Sequence, residues 1–280
     1  HAAMVSLLRA YDPKYRSLQA IKTVYTIHNL AIQGIRPIDG DESSLHAWFP
    51  NLVFDYNQIN DPRYSHCFNP MRAAINLSNK VHAVSPTYAK EILLPSNHEY
   101  GVFGGEGLED DLRLAADSGR LYGILNGCEY SDQTKVKLSL TELMTLSENE
   151  LIKWVADKPL VDNAHLIAIT RLKQLSGKNL DKKPIILTSV GRITDQKIRL
   201  LQQTMNNGKT AIQTLLTLLA DDGVFILLGS GDSKLEDFLT QVASTNTNFM
   251  FLKGYSEALS ESLYNSDDLF LMPSSFEPCG

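Results

Sequence analysis

Cysteine, tryptophan, long apolar runs and positive charge are all scarce in this 280-residue sequence. The three cysteines, Cys67, Cys128 and Cys279, are widely spaced and odd in number. That leaves neither a disulfide framework nor the paired spacing of a zinc site, and makes a reducing cytoplasm the expected compartment. No stretch approaches the ~18 consecutive apolar residues of a membrane span. The start, His1-Ala2-Ala3-Met4-Val5, has neither the basic residues nor the apolar core of a signal peptide. Lys and Arg number 26 against 32 Asp and Glu, a net charge of -6. Such a balance argues against a nucleic-acid-binding face but not against a local basic pocket for phosphate. Hydrophobic residues at 43% and charged residues at 21% instead fit a globular chain long enough for two domains.

Short apolar runs alternate with helical patterns, the order that builds parallel α/β sheets. Open sheets of this kind bind ligands outside the carboxyl ends of their strands. Polar residues recur at those places. The strand 22–27 ends at His28-Asn29. The strand 80–84 leads to Ser85-Pro86, an N-cap followed by a first-turn proline. The strand 121–127 carries Asn126. In the second half, the strand 184–190 runs into Gly191-Arg192-Ile193-Thr194-Asp195-Gln196-Lys197 and a helix over 198–205. Two cations between a strand and a helix N-terminus make either an anion site or a solvated basic turn. The strand 222–228 is followed by Gly229-Ser230-Gly231-Asp232, which lacks the third glycine of a dinucleotide fingerprint. The strand 248–253 ends at Gly254-Tyr255, where the tyrosine either stacks on a ligand or sits at the core edge. The final run from Leu269 is stopped by Pro273, and a small-residue turn carries Glu277 out of its end.

Several features read two ways. His28 is a ligand contact or a loop histidine bonded to backbone. The glycines of 101–107 let backbone approach a ligand or belong to a mobile surface loop. The aromatic segment 39–70 is a carbohydrate platform or an insertion packed on a flank. Cys279 is a nucleophile or a packed structural thiol. Residues 128–183 are polar and charged, with a capping-box pattern at Ser147 and Glu150, and are expected to be an inter-domain linker with helices. The expected domains are therefore 1–127 and 184–280. A start without Met and an end inside a strand-and-turn feature lead to the expectation that this is a piece of a longer enzyme.

Five motifs occur in the order found in bacterial glycogen synthases and plant starch synthases. Thr26-Ile27-His28-Asn29-Leu30-Ala31-Ile32-Gln33-Gly34 resembles one, with Ile32 in place of the usual Tyr. Val84-Ser85-Pro86-Thr87-Tyr88-Ala89-Lys90-Glu91-Ile92 is similar to a second. Gly123-Ile124-Leu125-Asn126-Gly127 resembles a third, with Cys128 and Glu129 where an aliphatic residue and Asp are usual. Gly191-Arg192-Ile193-Thr194-Asp195-Gln196-Lys197 resembles a fourth, with Ile198 in place of Gly. Ser274-Ser275-Phe276-Glu277-Pro278-Cys279-Gly280 resembles the donor-sugar motif. Tyr100-Gly101 and Gly104 to Glu109 are similar to a further glycine-rich loop with extra residues inserted, and Leu228 to Asp232 to the family's Leu-Gly-(Ala/Ser)-Gly-Asp.

The resemblance implies a GT-B fold, with two Rossmann-like domains of parallel sheets facing across a cleft, both incomplete here. It implies retaining transfer of glucose from ADP-glucose to the non-reducing end of an α-1,4-glucan. By it, Arg192 and Lys197 hold the donor diphosphate, Tyr255 stacks on the base, and His28, Asn29 and Asn126 contact the glucose. Glu277 orients the glucose, with backbone donors at Cys279 and Gly280. No metal, other cofactor, nucleic acid or membrane partner is implied. A Lys-Thr-Gly-Gly-Leu loop, a carboxylate just before the position of His1 and a second glycine-rich loop of the family have no counterpart in these residues, so this stretch alone is expected to be inactive or nearly so. Another GT-B transferase with a different nucleotide sugar, and a non-catalytic glucan-binding relative, are the other two readings.

Overall fold

A computed structural model describes residues 2–127, 137–156, 160–176, 184–220 and 222–279. Cys128, Glu129, the Lys158-Pro159 and Lys182-Lys183 stretches and Gly280 lie outside the described residues. The chain forms two compact units, His1–Tyr130 with Phe276–Gly280, and Ser131–Ser275.

The first unit runs α1 (Ala2–Tyr11), β1 (Val24–Ile27), β2 (Arg36–Pro37), α2 (Leu45–Trp48), α3 (Tyr56–Ile59), β3 (Cys67–Phe68), α4 (Pro70–Leu77), β4 (Lys80–Ala83), α5 (Tyr88–Glu91), α6 (Glu109–Asp117) and β5 (Leu121–Gly123). Its parallel sheet has the order β1-β4-β5. Ile27, Val81 and Ala83 meet Ile75 of α4, Tyr88 of α5 and Leu112 of α6 in one core. The aromatic segment 39–70 builds a second core, in which Leu45, Leu52, Ile59 and Phe68 close on Leu7 of α1. Trp48, Tyr56 and Tyr64 of that segment stay about half exposed. The strand expected over 121–127 stops at Gly123, because a longer ladder would need a partner beyond the Ala83–Gly123 pair. The Ser85 hydroxyl accepts the Tyr88 N–H at 2.9 Å, but the helix begins only at Tyr88 and its N-cap position falls to Thr87, which makes no side-chain cap bond.

The second unit runs α7 (Leu140–Ala156), α8 (Asn163–Ser176), β6 (Ile185–Val190), α9 (Asp195–Gln202), α10 (Ala211–Leu219), β7 (Gly223–Gly229), α11 (Ser233–Thr245), β8 (Phe249–Lys253), α12 (Glu257–Ser266) and β9 (Leu269–Phe270). The sheet is wholly parallel, in the order β8-β7-β6-β9. β7 is buried along its whole length, and its side chains alternate between two layers. Val224, Ile226 and Leu228 face α7, α8 and α12. Phe225 and Leu227 face α9, α10 and α11. A strand covered on both faces needs an unbroken apolar run, which Val224 to Leu228 supplies.

α7 and α8 belong to this unit, although the sequence assigns them to a linker. Leu143, Met144 and Leu151 of α7 and Ala168, Leu172 and Leu175 of α8 cover one face of the sheet. Each fully buried Leu contributes roughly 1.5–3 kcal/mol, so this is core. Polar and charged residues are interspersed along both helices, Thr141, Glu142 and Ser147 to Glu150 in α7 and Arg171, Lys173 and Gln174 in α8, which masks their core-facing residues in the sequence. The capping box of α7 is also not the expected one. Ser139 Oγ accepts the Glu142 N–H at 3.3 Å, and Glu142 Oε2 accepts the Ser139 N–H at 2.7 Å. Ser147 and Glu150 lie in the helix interior, with Glu150 paired to Lys153 at 2.6 Å. Residues 276–279, expected with the second domain, pack with the first unit.

The turns after β6 and β7 touch backbone to backbone. Ile193 N–H donates to the Ser230 carbonyl at 3.0 Å, and Asp232 N–H donates to the Ile193 carbonyl at 2.8 Å. A Cβ at Gly229 would overlap the Gly191 carbonyl, and one at Gly231 would overlap that of Ile193. Gly229→Ala is expected to destabilise the second unit by about 1–3 kcal/mol, the usual cost of overpacking. Gly191→Ala in the facing turn, where a Cβ meets nothing within 4 Å, should be nearly neutral. Urea unfolding of both variants checks this, and equal midpoints would refute the close approach.

Candidate active site

Each candidate residue of the first unit sits on a loop whose neighbours are fastened. His28 follows β1 and is exposed. Next to it, Leu30 is buried and its N–H donates to the Tyr88 hydroxyl at 2.9 Å. Asn29 Oδ1 accepts the Ala31 N–H at 2.9 Å, so Asn29 closes the turn it starts. Gln33 is buried; its Oε1 accepts from Asn69 Nδ2 at 2.6 Å and Arg63 at 2.8 Å, and its Nε2 donates to the Glu106 carbonyl at 3.0 Å. In this motif Leu30 and Gln33 anchor while His28 projects.

Asn126 is exposed in the turn after β5. The start of that turn is held by His82 of β4, a residue the sequence reading passed over. Nε2 of His82 lies 3.0 Å from the Ile124 carbonyl, which only accepts, so Nε2 carries a proton. Nδ1 lies 3.3 Å from the Thr26 hydroxyl of β1. One ring thus ties together the strand ends that carry His28 and Asn126. The available signal was a histidine between Val81 and Ala83 in a parallel strand.

The glycine-rich loop is internally packed. Ser96 Oγ accepts the N–H groups of Gly104 and Glu106 at 2.9 and 3.2 Å and donates to Glu106 Oε1 at 2.7 Å. A Cβ at Gly105 would lie 2.6 Å from the Glu109 side chain, and one at Gly107 2.8 Å from Arg63. These glycines are accounted for by packing. Phe103, among the inserted residues, stacks on Phe276 with ring centroids 4.0 Å apart and 22° between planes. That contact holds the peptide of Glu277, which is half-buried. Cys279 packs against the core around Ile27 and Val81.

In the second unit a pocket of about 200 Å³ opens at the carboxyl ends of β6, β7 and β8. Gly191, Arg192, Gly229, Ser230, Gly254 and Tyr255 line it. Two candidates, Arg192 and Tyr255, therefore share one pocket, and Tyr255 is 77% exposed. Lys197 lies in the first turn of α9, its Nζ 3.5 Å from Met272 Sδ. Beside it the Gln196 carbonyl accepts from the N–H and hydroxyl of Ser275 at 2.8 and 3.2 Å, which fixes the small-residue turn before Phe276.

Two helices begin near this pocket, and they differ as anion sites. At α11, Asp232 Oδ1 accepts from Lys234 and Leu235 N–H at 3.0 and 3.2 Å, and Glu236 Oε1 takes the Gly231 N–H at 2.7 Å. Carboxylates occupy the donors that a dinucleotide loop would offer a phosphate. At α9 the cap residue Thr194 makes no side-chain cap bond, and Arg192 and Lys197 flank the helix start. Helix-terminal N–H groups and two cations favour an anion at α9.

Among the described residues, no three His, Cys, Asp or Glu side chains gather as a metal site, and no helix is long and apolar enough to cross a membrane.

Two Rossmann-like parallel units in one chain place the protein in the GT-B class. Within that class its sequence is similar to glycogen synthases and its structure to a starch synthase. Residues 1–114 match the starch synthase catalytic domain family. The chain is 31% identical to a glycogen synthase of Petrotoga mobilis and 33% identical to one of Bacillus cereus; both matches cover 100% of this chain and 50% and 52% of the relatives. The structure matches the catalytic domain of starch synthase IV from Arabidopsis thaliana, bound to ADP and acarbose, with a TM-score of 0.63 and 26% identity over 99% of this chain and 51% of that one. The chain spans about half the length of the curated relatives it matches.

Burial pushes the Tyr88 hydroxyl up to about 12 from 10.0, outweighing the Leu30 hydrogen bond that favours ionisation, and Glu106 and Glu91 push the same way. The folded state keeps this proton at higher pH than the unfolded chain. Its contribution to stability is therefore complete below pH 10 and is lost as pH rises from 10 toward about 12. Tyr88→Phe should reduce that alkaline loss, and at neutral pH should cost about 1–3 kcal/mol by leaving the Leu30 N–H without its acceptor. Urea midpoints of parent and variant across this pH range test both effects; identical profiles would remove Tyr88 as the anchor of the His28 loop.

Proposed function

We propose that this chain is part of a glycogen or starch synthase that transfers glucose from ADP-glucose to the non-reducing end of an α-1,4-glucan with retention of configuration. The observation that carries the reading is the pocket at the ends of β6, β7 and β8, with Arg192 and Tyr255 in its lining and the start of α9, flanked by Arg192 and Lys197, beside it. The starch synthase IV relative was captured with ADP and with acarbose, a nucleotide and an oligosaccharide mimic of the proposed substrates.

In this reading the second unit is the donor-nucleotide side. Tyr255 stacks on the base, and Arg192 and Lys197 hold the diphosphate. As the glycosidic bond to the donor breaks, negative charge grows on the departing diphosphate, and two fixed cations with the α9 N-terminus stabilise it more than they stabilise the intact donor. The first unit serves the sugar. His28, Asn126 and Asn29 contact the glucose near the reacting carbon, and Glu277 orients it, with backbone donors at Cys279 and Gly280. Cys279 acts as a packed thiol, and no protein nucleophile is required. The compartment proposed is the cytoplasm, where the widely spaced thiols remain reduced.

Calorimetry with ADP-glucose and UDP-glucose tests the reading. The chain should bind ADP-glucose more tightly than UDP-glucose. Arg192→Ala should weaken that binding by about 1.5–3 kcal/mol, the worth of a hydrogen bond to a charged group. A preference for UDP-glucose would move the chain to another GT-B transferase, and saturable glucan binding without either donor would favour a non-catalytic glucan-binding relative.

A further inference from the structure

Beneath the donor-side pocket lies an ion cluster that none of the motifs includes. Lys253 is the last residue of β8, directly before Gly254 and Tyr255. Its Nζ lies 2.6 Å from Asp162 Oδ2 and 2.9 Å from Glu236 Oε2. Each carboxylate uses its second oxygen on backbone. Asp162 Oδ1 accepts the Ala164 N–H at 3.0 Å at the start of α8, and Glu236 Oε1 accepts the Gly231 N–H at 2.7 Å. The Lys253 carbonyl in turn accepts from Nε2 of His165, a fully buried residue of α8, at 2.8 Å. A continuous chain of bonds thus runs from α8 through Lys253 and Glu236 to the Gly229–Gly231 turn.

The two ends of this chain are pocket walls. Gly231 belongs to the turn that includes Gly229 and Ser230, and Lys253 leads into Gly254 and Tyr255. The second wall also rests on α7, since a Cβ at Gly254 would lie 2.6 Å from the Trp154 ring. The charge at the centre is strongly held. Burial disfavours the ammonium, yet hydrogen bonds and attraction from Asp162 and Glu236 raise Lys253 above its ordinary value. Glu236 is 6% exposed, so without Lys253 it would be an uncompensated buried carboxylate beside a second one. Such a group does not stay in place; it moves to water or takes up a proton. Either outcome releases or weakens the bond to Gly231.

We propose that Lys253, bridging Asp162 and Glu236, is a positioning residue that sets the spacing of the Gly229–Gly231 and Gly254–Tyr255 walls and thereby nucleotide affinity, an inference that rests on reading this pocket as the nucleotide site. Lys253 touches no ligand, because its ammonium is turned to the two carboxylates. The segment that holds it, around Asp162, lies immediately before α8.

ADP binding by the full chain, measured by calorimetry together with amide exchange at Gly231 and Gly254, tests the proposal. Lys253→Met should weaken ADP binding about tenfold, equivalent to about 1.4 kcal/mol, and speed exchange at both glycines. Lys253→Arg, which can still bridge two carboxylates, should stay near the parent. Glu236→Gln keeps an oxygen for the Gly231 N–H but loses the ion pair, and should weaken ADP binding in the same direction even if Lys253→Met fails to fold. Unchanged ADP affinity in Glu236→Gln, or faster exchange in Lys253→Met at parental affinity, would overturn the positioning role alone. No ADP binding by the unsubstituted chain would overturn the nucleotide reading and this inference with it.

Discussion

The donor-side pocket depends on the contact of two backbones, Gly229–Gly231 against Gly191–Ile193. Parallel strands bring the two turns to the same end of the sheet, but only the absence of Cβ atoms lets them meet. Once they meet, Ile193 donates to the Ser230 carbonyl and accepts from the Asp232 N–H across the gap, and the turn carrying Arg192 is held by its neighbour. The same contact decides what each helix start can do. Both α9 and α11 present a positive dipole end to the region. Asp232 and Glu236 fill the donors at α11, while Thr194 leaves α9 without a side-chain cap. A glycine pair after a strand serves here to pack two turns together.

The first unit follows a similar division of labour. The residues that project, His28 and Asn126, make none of the anchoring bonds. Those bonds fall to Tyr88 and His82, which come from other elements, and to Gln33 in the same loop as His28. A side chain on a short loop keeps its position only when its neighbours are fixed, and buried hydrogen bonds do this at a few points. The stacking of Phe103 on Phe276 is the counterpart for Glu277. It employs a residue from an inserted loop to steady one of the most motif-like stretches of the chain.

Buried charge plays a corresponding part in the second unit. Lys253 is surrounded so that both carboxylates spend one oxygen on the ammonium and one on backbone. Such a cluster adds little net stability compared with apolar packing, but it specifies one arrangement of the elements it joins. Here those elements are the start of α8, the end of β8 and the Gly229–Gly231 turn.

Local patterns in the sequence determined the parallel α/β class, the strands β1, β4, β6, β7 and β8 to within a residue or two, and the placement of polar residues after them. Strand runs and turn residues are near-neighbour properties, so they can be read along the chain. Tertiary structure alone decided that α7 and α8 belong to a core, because the partners of their buried apolar residues lie in strands beginning at Ile185. It chose Ser139 and Glu142 over Ser147 and Glu150 as the capping box, since burial of Leu143 and Met144 extends the helix past the local signal. It also joined Lys253 to Asp162 across 91 residues. Contacts between residues so far apart leave no periodicity in the sequence; they exist only once the sheet has brought the strand ends together.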